Sequence, residues 1–561
     1  MKPMRQQRFY LLCALLTGVL LAICWPANGG LTPLVFFAWV PLLFAEERFA
    51  GSLKEERPRH FMPYVFIAVA VWNALTTWWL YCVSEPMGSK LFAAIGPNIG
   101  NDLLMCLPWL VMRWSRWFLP GRWVRVVLAV AWIAFERFHM HWDLSWPWLT
   151  LGNVFAGHPA WVQWYEYTGH LGGTIWVWAA NLAILRLCIV ARADAIGARS
   201  LRRYSVIAGL IILLPFIGSQ VRYATFTEEG AATEVVVVQP DIDPYNQKFA
   251  EDPIAQLDRM LEEAASVITD STALVVMPET SLQEQPRLSD ENGELVLHGL
   301  WENDLGRSVS VQRIRDFLSR HPGMSVVSGM SSAYLYPRGA ELPVTATILE
   351  GLEQGFDSYN AAVLVRPDGT FESYLKSKLV PGVELLPFEE YLGPISALAL
   401  DLGGTTGSLG TQEEREVLST GEGIKFAPVI CYESIYGDHV AAHVRNGAEF
   451  LVIMTNDAWW DDSPAYRQHL LYGALRAIET RRSIARSANT GISCFIDQRG
   501  DIHDPTGWWV PDARKGIVLS RDDLTFYAAH GDLIGITAQW CTLIIVLGLL
   551  VGAFRRVLTR R

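Results

Sequence analysis

Three side chains in this 561-residue chain have the types and settings needed for acyl-transfer chemistry. Cys431 lies in the run Val429-Ile430-Cys431-Tyr432-Glu433, Glu279 follows Val276-Met277-Pro278, and Lys376 follows Tyr374-Leu375. Each stands just after a short apolar stretch of β character. A thiol attacks a carbonyl as its thiolate, and it needs a base or a local positive charge to get there. A carboxylate supplies the base, and an ammonium can face the oxyanion of a tetrahedral intermediate. Together the three are the parts that make and break an acyl thioester. Singly, each has an ordinary reading. Cys431 is then a buried strand cysteine or a disulfide partner of Cys494, Glu279 a solvated strand-end carboxylate, and Lys376 a surface lysine. The ordered set carries the weight.

The elements that must position these residues follow from hydrophobic periodicity. Strands are expected at Val235–Val238, Ala273–Met277, Ser325–Gly329, Ala361–Val365, Phe426–Cys431, Phe450–Met454 and Ile492–Ile496. Helical patterns fall at 253–269, 308–320, 436–446 and 465–482. Such alternation argues for a layered α/β domain with helices covering the sheets. The polar or Gly-rich stretches 283–306, 335–357 and 400–423 read as rim insertions, where functional loops gather.

Composition sets the environment. The chain is 51% hydrophobic with 23 Trp, too apolar for an ordinary soluble enzyme. Between Arg222 and Leu533 there are 24 Lys and Arg against 47 Asp and Glu, whereas the remainder carries 22 against 10. An acidic block is therefore set in a basic, apolar frame. No basic patch points to nucleic acid. Six of the eight Cys lie in apolar segments, and no CxxC or Cys/His spacing suggests a metal site.

Runs long enough to cross a bilayer are expected at 9–25, 31–45, 61–83, 91–112, 123–141, 171–191, 204–221 and 534–553. The first two are short and are joined by Pro26-Ala27-Asn28-Gly29-Gly30, so a tilted hairpin is the alternative. The first lacks a small-x-small cleavage site and reads as a retained span rather than a signal peptide. Basic residues fall in alternate loops: Lys2, Arg5 and Arg8; Arg48, Lys54, Arg57 and Arg59; Arg113, Arg116 and Arg122; Arg192, Arg199, Arg202 and Arg203; Arg555, Arg556, Arg560 and Arg561. Eight spans place all five groups on the cytoplasmic side and residues 222–533 outside. The expected organisation is a membrane domain over 1–221 with about seven spans, an extracytoplasmic domain over 222–533, and a final span with a cytoplasmic basic tail over 534–561. Asp102, Glu136 and Arg137 fall inside spans and are functional candidates, although a Glu136–Arg137 pair or interfacial packing is the plainer reading. His139, His141 and Asp143 read as solvated interfacial residues rather than as a metal cluster.

The order Glu, Lys, Cys, with Pro-Glu after one strand and Cys-Tyr-Glu after another, resembles the nitrilase, or carbon–nitrogen hydrolase, superfamily. The likeness narrows with further motifs. Gln239-Pro240-Asp241-Ile242, Met277-Pro278-Glu279-Thr280, Lys376-Ser377-Lys378-Leu379-Val380-Pro381, Ile430-Cys431-Tyr432-Glu433, Thr455-Asn456-Asp457-Ala458-Trp459, Arg476-Ala477-Ile478-Glu479 and Ala488-Asn489-Thr490-Gly491-Ile492 are similar to the motif series of apolipoprotein N-acyltransferases. That family has spans before its nitrilase-like domain and one after it, so the resemblance covers nearly the whole chain.

The resemblance implies a polytopic α-helical membrane domain plus an α/β nitrilase-like domain folded as an α-β-β-α sandwich. It makes Cys431 the nucleophile, Glu279 the general base and Lys376 the oxyanion-stabilising group, with Lys378 a rival for the last role. Glu384 and Glu433 match further acidic positions of the family's site, and Tyr432 matches the aromatic residue beside the nucleophile. The implied partners are a phospholipid acyl donor and a diacylated apolipoprotein acceptor among membrane lipids of the bacterial inner membrane, with no cofactor, metal or nucleic acid. The sequence departs from the family at Pro381-Gly382-Val383-Glu384, at Trp460-Asp461, and at Lys248-Phe249, where the family often has Lys-Trp. A membrane-tethered amidase and a non-catalytic lipoprotein-binding scaffold are the rival readings; a transporter is disfavoured by the scarcity of paired charges within the spans.

Overall fold

The computed structural model describes residues 2–52, 60–83, 87–192, 198–291, 294–349, 354–388 and 408–558. Lys54, Arg57, Arg59, Arg560 and Arg561, and parts of the 335–357 and 400–423 stretches, lie outside these. The chain forms two compact units, one of Met1–Cys82, Pro86–Phe226 and Asp532–Arg561, the other of Val83–Glu85 and Thr227–Gly531.

The first unit is helical and makes this a membrane protein. Among its described residues, four helices are long and apolar enough to cross a bilayer, at Met4–Cys24, Leu171–Ala191, Ala198–Thr225 and Leu533–Arg556. The other expected spans are built differently. The 31–45 segment is a 3₁₀ turn, Thr32–Phe36, followed by the helix Val40–Gly51. Pro33 and Pro41 each stand in a first turn and break the run. The backbone groups freed there are not left bare: Asn181 accepts from the Trp39 N–H at 2.9 Å and donates to the Val35 carbonyl at 2.8 Å. The 61–83 segment is the helix Met62–Thr76 plus the 3₁₀ turn Trp78–Cys82, and 91–112 divides between Met87–Met105 and Leu107–Ser115 around Pro108. Gly121–Phe138 is one helix that carries four charged residues.

The buried ionisable groups of this unit have local partners. Glu136 does not pair with Arg137. Its carboxylate accepts from Trp132 Nε1 and the Leu151 N–H, both at 2.8 Å, and from the Thr174 hydroxyl at 2.6 Å. Arg137 instead reaches Asp532 at 3.0 Å and Gln539 at 3.1 Å. The adjacent side chains diverge because neighbours on a helix point about 100° apart. Asp102 accepts from Asn73 at 2.8 Å.

Among its described residues the second unit has two large sheets and a two-stranded hairpin. In chain order its strands are β1 (Ala231–Gln239), β2 (Thr272–Val276), β3 (Arg287–Glu291), β4 (Glu294–His298), β5 (Ser325–Leu335), β6 (Thr347–Leu349), β7 (Gln354–Val365), β8 (Phe371–Leu375), β9 (Leu418–Ser419), β10 (Lys425–Ile430), β11 (Phe450–Thr455), β12 (Ile484–Ala488), β13 (Cys494–Ile496), β14 (Ile502–His503) and β15 (Asp512–Ser520). One sheet runs β15-β1-β2-β5-β7-β6 with β8 beside β7, and the other β14-β13-β12-β11-β10-β9. In each the central pairs are parallel and the flanks antiparallel. The β3–β4 hairpin occupies the 283–306 insertion.

Why the sheets stack follows from the pleat. Successive strand residues point to opposite faces, and strands apolar at every position bury both faces. Val235 and Val237 of β1 enter the core between the sheets with Leu274, Phe426, Phe450 and Val452. Val236 and Val238 pack outward with residues of the helices Pro253–Ala265 and Val309–Leu318. On the other sheet, Val429, Leu451 and Ile453 pack with the helices Gly437–Arg445 and Pro464–Thr480. The layers are α-β-β-α. All eight cysteines are free, and Cys494 sits in that outer layer, so no Cys431–Cys494 bridge forms.

The inter-sheet core sets stability. Phe450 is fully buried with its ring centroid 5.6 Å from that of Phe426. Phe450→Ala is expected to cost about 3–5 kcal/mol, read as a fall in the melting temperature of the purified protein.

Candidate active site

The site lies where the parallel strands end. Chains leaving β2, β10, β11 and β12 at their carboxyl ends place Glu279, Cys431, Asn456 and Asn489 in successive turns, and β7 and β8 add Asn360 and Lys376.

Cys431 opens the 3₁₀ turn Cys431–Ile435 with φ of +49°, a left-handed conformation that is costly for a residue with a Cβ. The turn is braced at several points. Glu433, fully buried, accepts from the Ile430 N–H at 2.8 Å through one oxygen. Its other oxygen accepts from the Ser377 N–H at 2.7 Å and the Tyr374 hydroxyl at 2.8 Å. One carboxylate thus ties the Cys431 turn to the segment that follows Lys376. The Cys431 carbonyl accepts from the Ser434 hydroxyl at 2.7 Å and from His469 Nε2 at 3.0 Å. His469 Nδ1 lies 2.8 Å from Asp457, which also receives Arg486 at 2.6 Å. Burial alone raises the Asp457 pKa, but Arg486 and His469 outweigh it and hold the group at about 2.

Glu279, Lys376 and Glu384 form one buried cluster. The Lys376 ammonium donates to Glu279 Oε1 and to Glu384 Oε1, each at 2.9 Å. Asn360 Nδ2 donates to the same two oxygens at 2.8 Å. The second oxygen of Glu279 accepts from the Asn456 N–H at 3.0 Å, and that of Glu384 from the Val380 N–H at 2.8 Å. Burial lowers the Lys376 pKa, but the two carboxylates more than reverse this and fix it as an ammonium. For Glu279 burial acts upward, while Lys376, Asn360 and Lys248 together bring the pKa below the ordinary range. The Cys431 thiol goes the other way. Burial and the nearby Glu279 charge raise its pKa, and Lys376 with a Thr455 hydrogen bond only partly offset them. The directions of these shifts favour a protonated thiol at Cys431 and an ionised carboxylate at Glu279.

A family model described as Carbon-nitrogen hydrolase matches residues 235–517, the span that holds every one of these side chains. A second, described as Apolipoprotein N-acyltransferase N-terminal domain, matches residues 17–216. The chain belongs to the carbon–nitrogen hydrolase family, in its apolipoprotein N-acyltransferase branch. Relatives in that branch align along nearly the full length. The apolipoprotein N-acyltransferase of Chlorobaculum tepidum is 29% identical over 536 residues, covering 93% of this chain and 92% of that protein. That of Geobacter metallireducens is 26% identical over 549 residues, covering 94% and 92%. Among solved structures, the nitrilase-superfamily protein Nit3 of Saccharomyces cerevisiae aligns with a TM-score of 0.35 and 17% identity, over 54% of this chain and 94% of that one.

Within this carbon–nitrogen hydrolase unit, the residues singled out by sequence divide into two groups. Glu279, Lys376 and Glu384 meet in one cluster, and the charges of Glu279 and Lys376 act on Cys431. Tyr432 and Glu433 belong to the turn itself: the Glu433 carboxylate braces it, and the buried Tyr432 ring packs edge-on against Tyr436 at 5.3 Å. Lys378 points elsewhere, its ammonium 5.2 Å from the Tyr436 ring centre. The Pro381-Gly382-Val383-Glu384 departure is a tight turn with Gly382 at φ +80°, closed by Gly382 N–H to the Leu385 carbonyl at 2.7 Å, and it still delivers Glu384. Sequence reasoning left Asn360, Lys248 and the Asp457–His469–Arg486 set without roles. The available signal was polarity at the edge of apolar runs: Asn360 immediately precedes Ala361–Val365, and Asn456 and Asp457 follow β11.

The brace has a pH signature. Burial acts upward, but His439 and the Ile430 and Ser377 backbone N–H groups outweigh it and take the Glu433 pKa from 4.5 down to about 2. A depressed carboxylate adds stability that is complete above its unfolded pKa and is lost as pH falls through the folded value. Glu433→Gln is therefore expected to flatten the acid limb of the stability curve between pH 4.5 and about 2, measured by thermal unfolding across that window.

Proposed function

We propose that the chain moves an acyl chain from a phospholipid, through a thioester on Cys431, to the α-amino group of an S-diacylglyceryl-cysteine that begins an apolipoprotein. The observation that carries this reading is the pairing, in one chain, of the Glu279–Lys376–Cys431 geometry with a helical unit matched by the apolipoprotein N-acyltransferase N-terminal domain. The relatives so named align over both units.

In the first half-reaction the Cys431 proton passes to Glu279 as sulfur attacks the ester carbonyl. The S–C bond forms, and the carbonyl π pair becomes an oxyanion that faces the Lys376 ammonium and a backbone N–H of the turn. Collapse breaks the ester C–O bond, Glu279 returns its proton to the leaving alkoxide, and a lysophospholipid departs. In the second half-reaction the acceptor amine attacks the thioester, Glu279 takes an N–H proton, and the proton follows the sulfur as the C–S bond breaks. The raised thiol pKa suits this cycle, because the thiolate forms only together with attack on a carbonyl. Loss of an oxyanion donor such as Lys376 costs about 2.7–4 kcal/mol of barrier.

The alternation of basic loops supports a bacterial inner-membrane placement with both termini cytoplasmic and residues 222–533 on the periplasmic side. A membrane-tethered amidase is the alternative for the same cluster, and it leaves the helical unit without a task. The test is intact mass spectrometry of the protein incubated with a defined diacyl phospholipid. A hydroxylamine-labile acyl adduct is expected, discharged by a diacylated lipopeptide amine and absent from Cys431→Ala. An adduct in Cys431→Ala, or one discharged by water alone, contradicts the proposal.

A further inference from the structure

A second lysine shares this site, and its surroundings differ from those of Lys376. Lys248 is buried, and it lines a small cavity with Glu279, Thr280, Ile242 and Asn489. Its ammonium donates to the Thr280 hydroxyl and lies 5.9 Å from the ring centres of Phe249 and Trp459. Among the described residues no carboxylate pairs with it, whereas Lys376 has two. The charged or titratable groups that act on it are Glu279, from the turn after β2, and Cys431, from the turn after β10. Glu279 is already engaged by Lys376 and Asn360. An unpaired buried ammonium is costly, and such a group sheds its proton readily. Here burial outweighs both neighbours and brings the Lys248 pKa down to about 8.

We propose that Lys248 is the base that removes the first proton from the acceptor's α-ammonium, and this rests on the function proposed above. The proton balance of aminolysis asks for such a group. An N-terminal amine has a pKa of about 8, so it arrives at neutral pH largely as an ammonium and must lose two protons to become an amide. Glu279 handles one of them, because it takes the N–H proton of the tetrahedral adduct and passes it to the departing sulfur. The other must leave before the nitrogen lone pair can attack. Beside Lys248 two like charges repel in a dry cavity, so the two amines hold one proton between them. Its transfer to Lys248 leaves R–NH₂ poised against the thioester. The N–C bond then forms, the C–S bond breaks, and Lys248 releases its proton to water after the amide departs. Esters bring no such proton, so thioester formation makes no use of this base.

The experiment separates the two half-reactions in the full-length protein. Lys248→Arg keeps a cation that does not deprotonate near neutrality, and Lys248→Met removes the charge without the bulk of Arg. Each variant is loaded with acyl chain from a defined diacyl phospholipid and then discharged with a diacylated lipopeptide or with hydroxylamine, a nucleophile already unprotonated at neutral pH. The thioester is expected to form in both variants. Discharge by the lipopeptide at pH 7 is expected to fall about tenfold, because about a tenth of an amine of pKa about 8 is free base there, and to recover as pH rises to that pKa, while hydroxylamine discharge by Lys248→Arg is kept. Lipopeptide discharge by Lys248→Arg at the rate of the unsubstituted protein overturns the inference. An equal loss toward both nucleophiles also overturns it, because it assigns Lys248 to positioning or to the oxyanion. Failure of the unsubstituted protein to form any thioester overturns the proposed function, and this inference with it.

Discussion

One buried ammonium sets the terms for the site. Lys376 lies between two carboxylates at 2.9 Å each, almost wholly removed from water. Burying three charged groups is expensive unless the geometry is good and the remaining lone pairs are satisfied. Asn360, the Asn456 N–H and the Val380 N–H meet that need, and they come from β7, the end of β11 and the segment after β8. The demand reaches across both sheets: β2 and β7 belong to one and β11 to the other. The four-layer packing brings those strand ends to one place. The electrostatics favour a fixed ammonium, an ionised Glu279 carboxylate and a protonated Cys431 thiol.

A second set of contacts holds the sulfur without touching the reacting atoms. The left-handed backbone of Cys431 is kept in place by Glu433 on one side and by Ser434 and His469 on the other. Strain of this kind persists only where the surroundings over-determine it. Three bracing groups around one residue do that here. Glu433 also fixes the spacing between the nucleophile's turn and the Lys376 segment, which links the two halves of the proposed chemistry through a residue that is itself fully buried.

Much of this was legible in the residues. Strands such as Val235–Val238 and Phe450–Met454 are β-branched or apolar at every position, and their two-sided burial is the physical counterpart of that pattern. Strands that fall outside the expected runs include ones of mixed polarity: β8 reads Phe-Glu-Ser-Tyr-Leu, β12 reads Ile-Ala-Arg-Ser-Ala, and β15 sets Asp512, Arg514 and Lys515 ahead of Ile517-Val518-Leu519. Pairing with a neighbour, rather than propensity, makes them strands. In the helical unit, hydropathy located apolar segments but not their breaks. Prolines at 33, 41 and 108 signal the breaks, yet only a side chain from a distant helix, Asn181, makes the first of them tolerable, and such long-range satisfaction leaves no local trace. Of the two plain readings of Glu136 and Arg137, a pair or interfacial packing, the pair is the one that helical geometry does not support. In the site, Asn360 is one of several polar residues in the first half of β7, and only the fold reveals that it faces two carboxylates at once.

The central claim is that Cys431 rests as a thiol and gives up its proton only in concert with attack on a carbonyl. The most direct measurement is the pH dependence of Cys431 alkylation by a small neutral reagent, in the protein without phospholipid. The account predicts slow labelling at neutral pH that rises only above the pKa of an ordinary free thiol. Rapid labelling at pH 6–7, the mark of a resting thiolate, would contradict it.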